Sequence, residues 1–218
     1  MADATQNPTA SLIKEVVERA ASIMPKREDE PIDIDGAVTE LIRRYSIWIG
    51  QNSTLSDDRD HEAWLSSARK RGWRYWPRYR DMLERKMPPA AIDALEISTD
   101  DVLGLLEDPN RSGSWDRRGL VVGHVQSGKT ANYTGLICKA ADAGYKIIII
   151  LAGLHNNLRS QTQIRLEEGF LGYETSATND VVKFIGVGEM GRDLEIKPNC
   201  ATNRTESGDF STKVANHL

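Results

Sequence analysis

Cysteine and histidine are both sparse here, with two of the first and four of the second among 218 residues. Cys138 and Cys200 cannot build a disulfide framework, and no CxxC pair or Cys/His cluster has the ligand spacing of a zinc site. His61, His124, His155 and His217 are scattered. The opening stretch, MADATQNPTASLIKEVVERA, lacks the basic and apolar regions of a secretory signal. Ile147 to Ala152, the longest apolar run, is far too short to span a membrane. These absences point to a cytoplasmic chain with no membrane partner. Charge of one sign is also missing: the net charge of −4 is mild, so any polyanion contact has to come from a local patch.

What is present changes character near residue 109. Residues 1–10 read as a disordered lead. From Ser11, apolar residues at Leu12, Val16, Ala20 and Ile23 have helical spacing, and Pro25 ends it. Ile34, Val38, Leu41, Ile42, Tyr45, Trp48 and Ile49 form a second stripe, closed by Gly50. Helical character is also expected around His61–Arg71 and over Trp76–Lys86, which stops at Pro88-Pro89. Ile92–Leu106 reads as helical in parts, with Ser98 or Thr99 capping a short helix. Residues 11–108 therefore read as a helical N-terminal domain.

After the turn-rich linker at 110–114 the pattern alternates. Gly119–Gly123 reads as a short buried strand. Thr130–Ala143 reads as a helix stopped by Gly144. Lys146–Leu151, KIIIIL, is the continuous β-branched run of a strand covered on both faces. A helix from Asn156 or Asn157 to Glu168 and a strand over Val181–Val187 follow. The expected fold is α/β: a helical N-terminal region, then the start of a P-loop NTPase (RecA-like) parallel sheet with flanking helices over 115–218.

The chemistry centres on GHVQSGKT, Gly123 to Thr130, which fits G-x-x-x-x-G-K-[ST] at every fixed position. Glycines let backbone N–H groups turn inward without an obstructing Cβ. The following helix points its positive end at the phosphates. Gly123, Gln126, Ser127, Gly128, Lys129 and Thr130 are the candidate nucleotide contacts. Lys129 is expected to reach the β- and γ-phosphates of ATP, and Thr130 to place its hydroxyl on Mg²⁺. Thr130 taken alone also reads as a helix N-cap. His124 reads as a packing residue, and Cys138 as a small buried side chain facing the sheet.

Two further stretches leave alternatives open. The helix after KIIIIL carries Arg159, Gln161, Gln163 and Arg165. It reads equally as a phosphate-backbone contact or as a solvated helix with capping asparagines. RKRGWRYWPRYR, Arg69 to Arg80, interleaves arginine with Trp73, Tyr75, Trp76 and Tyr79. It could stack on bases, but the spacing of Trp76, Tyr79, Leu83 and Met87 favours inward packing. Trp115 either braces the helical region or lies near the nucleotide base.

The wording GHVQSGKT, followed at this distance by AGLHNNLRSQTQ, closely resembles the start of the Z1 domain of bacterial endonuclease-type proteins. The resemblance covers about Trp115 to Gly172. It implies an ATPase core like that of superfamily II helicases, with Gly123–Thr130 as the first motif and Asn156–Arg165 as the next, facing DNA. It also implies DNA as partner through Arg159, Gln161 and Arg165, a setting in restriction or phage defence, and other defence proteins as possible partners. An apolar strand ending in Asp-Glu, which such a motor uses to coordinate Mg²⁺ and activate water, does not occur after Thr130. The chain therefore reads as the N-terminal portion of such an enzyme, stopping mid-domain. The alternative is a non-catalytic nucleotide-binding adaptor. A small-molecule kinase is disfavoured by the glutamine-rich helix.

Overall fold

The computed structural model describes residues 10–23, 33–46, 60–122, 128–153, 155–176, 182–193 and 195–205. The helices are α1 (Ala10–Ile23), α2 (Ile34–Ser46), α3 (Tyr75–Glu84), α4 (Pro89–Leu105), α5 (Lys129–Ala143) and α6 (Asn156–Leu166). A five-residue π-helical turn, Glu167–Leu171, extends α6, and a short 3-10 turn covers Gly186–Glu189. The chain divides into two compact units, one holding α1 and α2 and the other α3 to α6.

The α1–α2 unit is an amphipathic pair. Ile13 and Val17 meet Val38, with Ile34, Ala37 and Leu41 packed around them. Asp33 starts α2: its Oδ1 accepts the Gly36 N–H at 2.8 Å, and its carbonyl accepts that of Ala37, which satisfies amides left orphaned at a helix start. Trp48 and Ile49 of the expected stripe lie outside the described residues.

The larger unit is built around α3, α4 and α5. Trp76, Tyr79, Met82 and Leu83 of α3 bury against Ile92 and Leu95 of α4, Cys138 of α5 and Val187. A second cluster joins Leu103 to Ala140 and Ala143, with Trp64, Leu65, Tyr145 and Ile148 around it. Pro89 opens α4, where a missing N–H is harmless. Gly144, left-handed at φ 112°, ends α5 as its sequence position implies, donating to the Ala140 and Ala141 carbonyls.

Three pairings fix how α4 and α5 lie. Ser98 bonds Asn132, Thr99 packs at Gly135, and Leu103 packs on Ala140 and Ala143. The residue numbers rise together, so the two helices run side by side in the same direction. Parallel neighbours need a long return, which residues 106–128 supply. Gly135 leaves room for both neighbours: a Cβ there would lie 3.1 Å from the Trp76 ring of α3 and 3.5 Å from the Thr99 methyl of α4.

The expected parallel sheet is not present. Among the described residues there is no β-strand, only one antiparallel bridge between Tyr173 and Phe184. Of the expected strands, Gly119–Val122 and Lys146–Leu151 run without regular structure, and the described part of Val181–Val187 carries only that bridge and the 3-10 turn. The reason is physical: a β-branched run becomes a strand only where a neighbour supplies ladder partners. Here Ile148 alone of the isoleucine run packs on the core, while Leu151 and Leu120 are 92% and 87% exposed.

Two helical expectations are corrected as well. His61–Arg71 is not a helix: 61–66 have no regular structure and 67–72 form turns closed by bonds such as Arg69 N–H to Ser66 O. Gly72, left-handed at φ 84°, redirects the chain into α3. The α4 region is one unbroken helix, so Ser98 and Thr99 are interior residues, not caps. Thr99 is fully buried, and its hydroxyl donates back to the Leu95 carbonyl at 2.7 Å.

Candidate nucleotide-binding site

Of the motif residues, Gly128, Lys129 and Thr130 are described; Gly123, Gln126 and Ser127 lie outside the described residues, as does His124. Gly128 adopts φ 73° and ψ 18°, the left-handed region, and serves as the N-cap of α5. Any other L-residue there costs roughly 1–2 kcal/mol. Lys129 and Thr130 are the first two residues of the helix, and both are exposed. The first helical rung is Asn132 N–H to Gly128 O, at 3.0 Å. Thr130 is therefore not the cap; it is the second residue of the first turn, on an exposed helix end.

This geometry suits phosphate. The first amides of a helix have no intrahelical acceptor and carry the positive end of the dipole. A lysine and a threonine hydroxyl stand beside them. Among the described residues no group of three His, Cys, Asp or Glu side chains could hold a metal ion by itself.

The start of α5 is tied to α4. Asn132 Nδ2 donates to Ser98 Oγ at 2.8 Å. Further along, Lys139 is wholly buried and donates from Nζ to the Glu96 carbonyl and to Asp100 Oδ1, both at 2.6 Å. Its ammonium lies 4.3 Å from the Trp76 ring centre. Burial pushes the lysine below its ordinary pKa, against the pull of Asp100. Asp100 also accepts from Lys70 at 2.5 Å.

The α6 residues expected to face DNA are separated by the structure. Arg159 donates to the Asn203 carbonyl at 2.9 Å and to that of Thr205, and Ser160 Oγ donates to the Arg204 carbonyl at 2.6 Å. Gln163 is buried and accepts from Thr202. Segment 200–205 thus lies along this polar face of α6. Gln161 and Arg165 remain exposed, with Arg165 only 3.6 Å from Glu168. His155, not an asparagine, is the N-cap position, and it makes no side-chain cap bond.

Beneath that segment sits Glu167, fully buried in the π-helical turn. Arg204 donates to it from Nε at 2.7 Å and from Nη2, and Thr175 also donates to it. A buried carboxylate needs such partners. Its sequence context, paired with Glu168 on a helix, gives no hint of burial.

The basic-aromatic stretch packs inward. Trp76 and Tyr79 are core residues. Four of its six cations are matched by acids: Arg69 by Asp108, Lys70 by Asp100, Arg74 by Asp193 and Glu195, and Arg80 by Glu84, Asp93 and Glu96. Arg78 is buried and donates to the carbonyls of Phe170 and Ile196. Lys70, Arg80 and Arg192 border an open groove of about 310 Å³ floored by Trp73 and Trp76. Glu84, Glu96 and Asp81 offset their charge there, so a polyanion finds no net attraction.

Trp115 packs edge-on against Tyr145, ring centres 6.1 Å apart. The Tyr145 hydroxyl donates to the Glu107 carbonyl at 2.5 Å. Hydrogen bonds from Arg117, and then from Arg111, hold the Glu107 carboxyl below its ordinary pKa. Tyr145 lies just beyond the far end of α5, and a 15-residue helix spans roughly 22 Å. Trp115 is therefore remote from the phosphate end and acts as a brace. Cys138 is buried as expected, but it packs among helices, its Sγ 3.6 Å from the Gly169 carbonyl.

Comparison with protein-family models, with curated proteins and with solved structures gives no match to this chain.

Proposed function

We propose that the loop Gly123–Thr130 binds the phosphates of ATP with Mg²⁺. The supporting observation is Gly128, held left-handed and feeding Lys129 and Thr130 into an exposed start of α5. When bound, ATP supplies a transferable phosphoryl group and Mg²⁺ neutralises its charge. The chain's own part is to orient: helix amides and Lys129 hold the phosphates, and the Thr130 hydroxyl faces the ion. On this reading Lys129 and Thr130 would stand nearest the reacting phosphate.

The resemblance to the Z1 domain supports a wider reading: the N-terminal portion of a cytoplasmic, ATP-dependent endonuclease-type enzyme acting on DNA in restriction or phage defence. On that reading Gln161 and Arg165, the exposed members of the α6 set, offer the DNA contacts. A second reading, a nucleotide-binding adaptor without DNA contact, is favoured by Arg159 and Ser160, whose donors are engaged by residues 203–205. Titrating Mg-ATP with and without duplex DNA separates the two. Mutual tightening of ATP and DNA supports the DNA-acting enzyme. ATP binding with no DNA affinity supports the adaptor, and absence of ATP binding overturns both.

A further inference from the structure

We propose that Ser98 of α4 is a positioning residue for the phosphate-binding turn of α5, acting through Asn132; this rests on the nucleotide reading above. Lys129, Thr130 and Asn132 share the opening turn of α5, the frayed end of a helix in which amides lack intrahelical acceptors. A turn of this kind presents its donors at fixed positions only if something outside the helix holds it. Asn132 is the first residue whose amide closes a helical rung, to Gly128 O at 3.0 Å. Its side chain reaches α4: Nδ2 donates to Ser98 Oγ at 2.8 Å.

Ser98 is suited to receive it. Its hydroxyl lies 3.5 Å from the Leu95 carbonyl, one turn back in α4. The hydroxyl oxygen has the lone pair that accepts from Asn132 Nδ2.

The packing makes α4 a rigid reference. Its Ile92, Thr99 and Leu103 are fully enclosed. Because α4 and α5 run in the same direction, Ser98 lies level with the start of α5, while Lys139, bonded to Glu96 and Asp100, fixes the helix further along. Lys139 sets the height of α5, and Ser98 sets its first turn. The link from Ser98 to the first turn of α5 is its hydrogen bond with Asn132.

The test is a Mg-ATP titration of the whole chain as wild type, Ser98→Ala, Ser98→Thr, Asn132→Leu and Lys129→Ala, with thermal melts alongside. One hydrogen bond of ordinary strength corresponds to roughly a fivefold change in affinity. Ser98→Ala and Asn132→Leu are each expected to weaken ATP by about that factor. Ser98→Thr, which keeps the hydroxyl, is expected to restore it. If Ser98→Ala binds ATP like wild type while Lys129→Ala does not bind, the positioning role is wrong and the nucleotide site stands. If Ser98→Thr fails as badly as Ser98→Ala, the hydroxyl is not what matters and the proposal is overturned. If the wild type binds no ATP, the nucleotide reading falls and this proposal with it.

Discussion

Asp142, in the last turn of α5, caps the start of α3: its Oδ1 accepts the Arg74 N–H at 2.7 Å and the Tyr75 N–H at 3.0 Å, and its Oδ2 accepts the Trp76 N–H at 2.7 Å. One carboxylate thus satisfies three amides at a helix end with no cap from its own segment. An acid near a helix C-terminus is disfavoured by that helix's own dipole. Here the adjacent N-terminus of α3 offsets the penalty. The long-range core contacts of Trp76 and Tyr79 depend on this placement.

Removing the cap should be costly. Asp142→Ala orphans three amides and is expected to destabilise the fold by about 1–3 kcal/mol, read from urea unfolding. The pH dependence has a definite sign. Burial raises the Asp142 carboxyl above its ordinary pKa, despite the three amides that pull it down. A raised folded pKa contributes stability that is present in acid, below the unfolded value of roughly 3.9, and is lost as pH rises through the folded value. Asp142→Asn cannot titrate, so the stability gap between wild type and Asp142→Asn should be widest in acid and narrow toward neutrality. A gap that widens with rising pH contradicts this.

Lys139 should behave differently from an ordinary core residue. Its folded pKa is lowered, so its contribution to stability is present above the ordinary lysine range and lost as pH falls through the folded value. Lys139→Met removes that desolvation cost and leaves Asp100 paired with Lys70. The expected effect is neutral to about 2 kcal/mol stabilising near pH 7. Lys139→Ala instead opens a cavity and is expected to destabilise by roughly 2–4 kcal/mol.

Gly186 and Gly113 make a matched pair for the backbone. Both have positive φ, 53° and 89°. A Cβ on Gly186 would drive into the Glu168 backbone, whereas a Cβ on Gly113 meets open space. Gly113→Ala should cost only the conformational penalty of roughly 1–2 kcal/mol. Gly186→Ala adds overpacking and should cost about 1–3 kcal/mol more. Equal melting temperatures would show that the 3-10 turn moves freely away from the π-helical turn.

Arg204→Ala leaves Glu167 buried with its main counter-charge gone, and is expected to cost about 3–5 kcal/mol. Arg159→Ala removes donors to the 203 and 205 carbonyls. It should raise amide exchange in 200–205 and leave the midpoint of global unfolding little changed.

Much of the helical part is legible in the sequence where local signals agree with packing; α1 is the exception, since Ile13 and Val17 are buried while Val16 and Ile23 of the expected stripe are exposed. Pro88-Pro89 and Gly144 bound helices where their backbone chemistry requires it, and the Trp76–Tyr79–Leu83 spacing does face the core. What is hidden depends on distant partners. KIIIIL has the composition of a buried strand, but composition does not supply the neighbour that would pair with it. Thr99 and Ser98 have the look of caps, yet their hydroxyls are satisfied inside a continuous helix. Lys139 offered one clue, a cation on the apolar side of α5, and Asp142 another, an acid at the wrong helix end. Of the candidate site, Gly128 to Thr130 could be placed from the motif alone. The engagement of Arg159 by residues 203–205 could not, since its partners are backbone carbonyls some 44 residues on.

Equilibrium titration of Mg-ATP into the wild-type chain and into Lys129→Ala tests the central claim most directly. The phosphate-cradle account predicts saturable binding by the wild type, competition by ADP, and loss of at least tenfold in affinity for Lys129→Ala, equivalent to about 1.4 kcal/mol. Equal affinity of the two proteins for ATP, or no binding by a folded wild type, would contradict it.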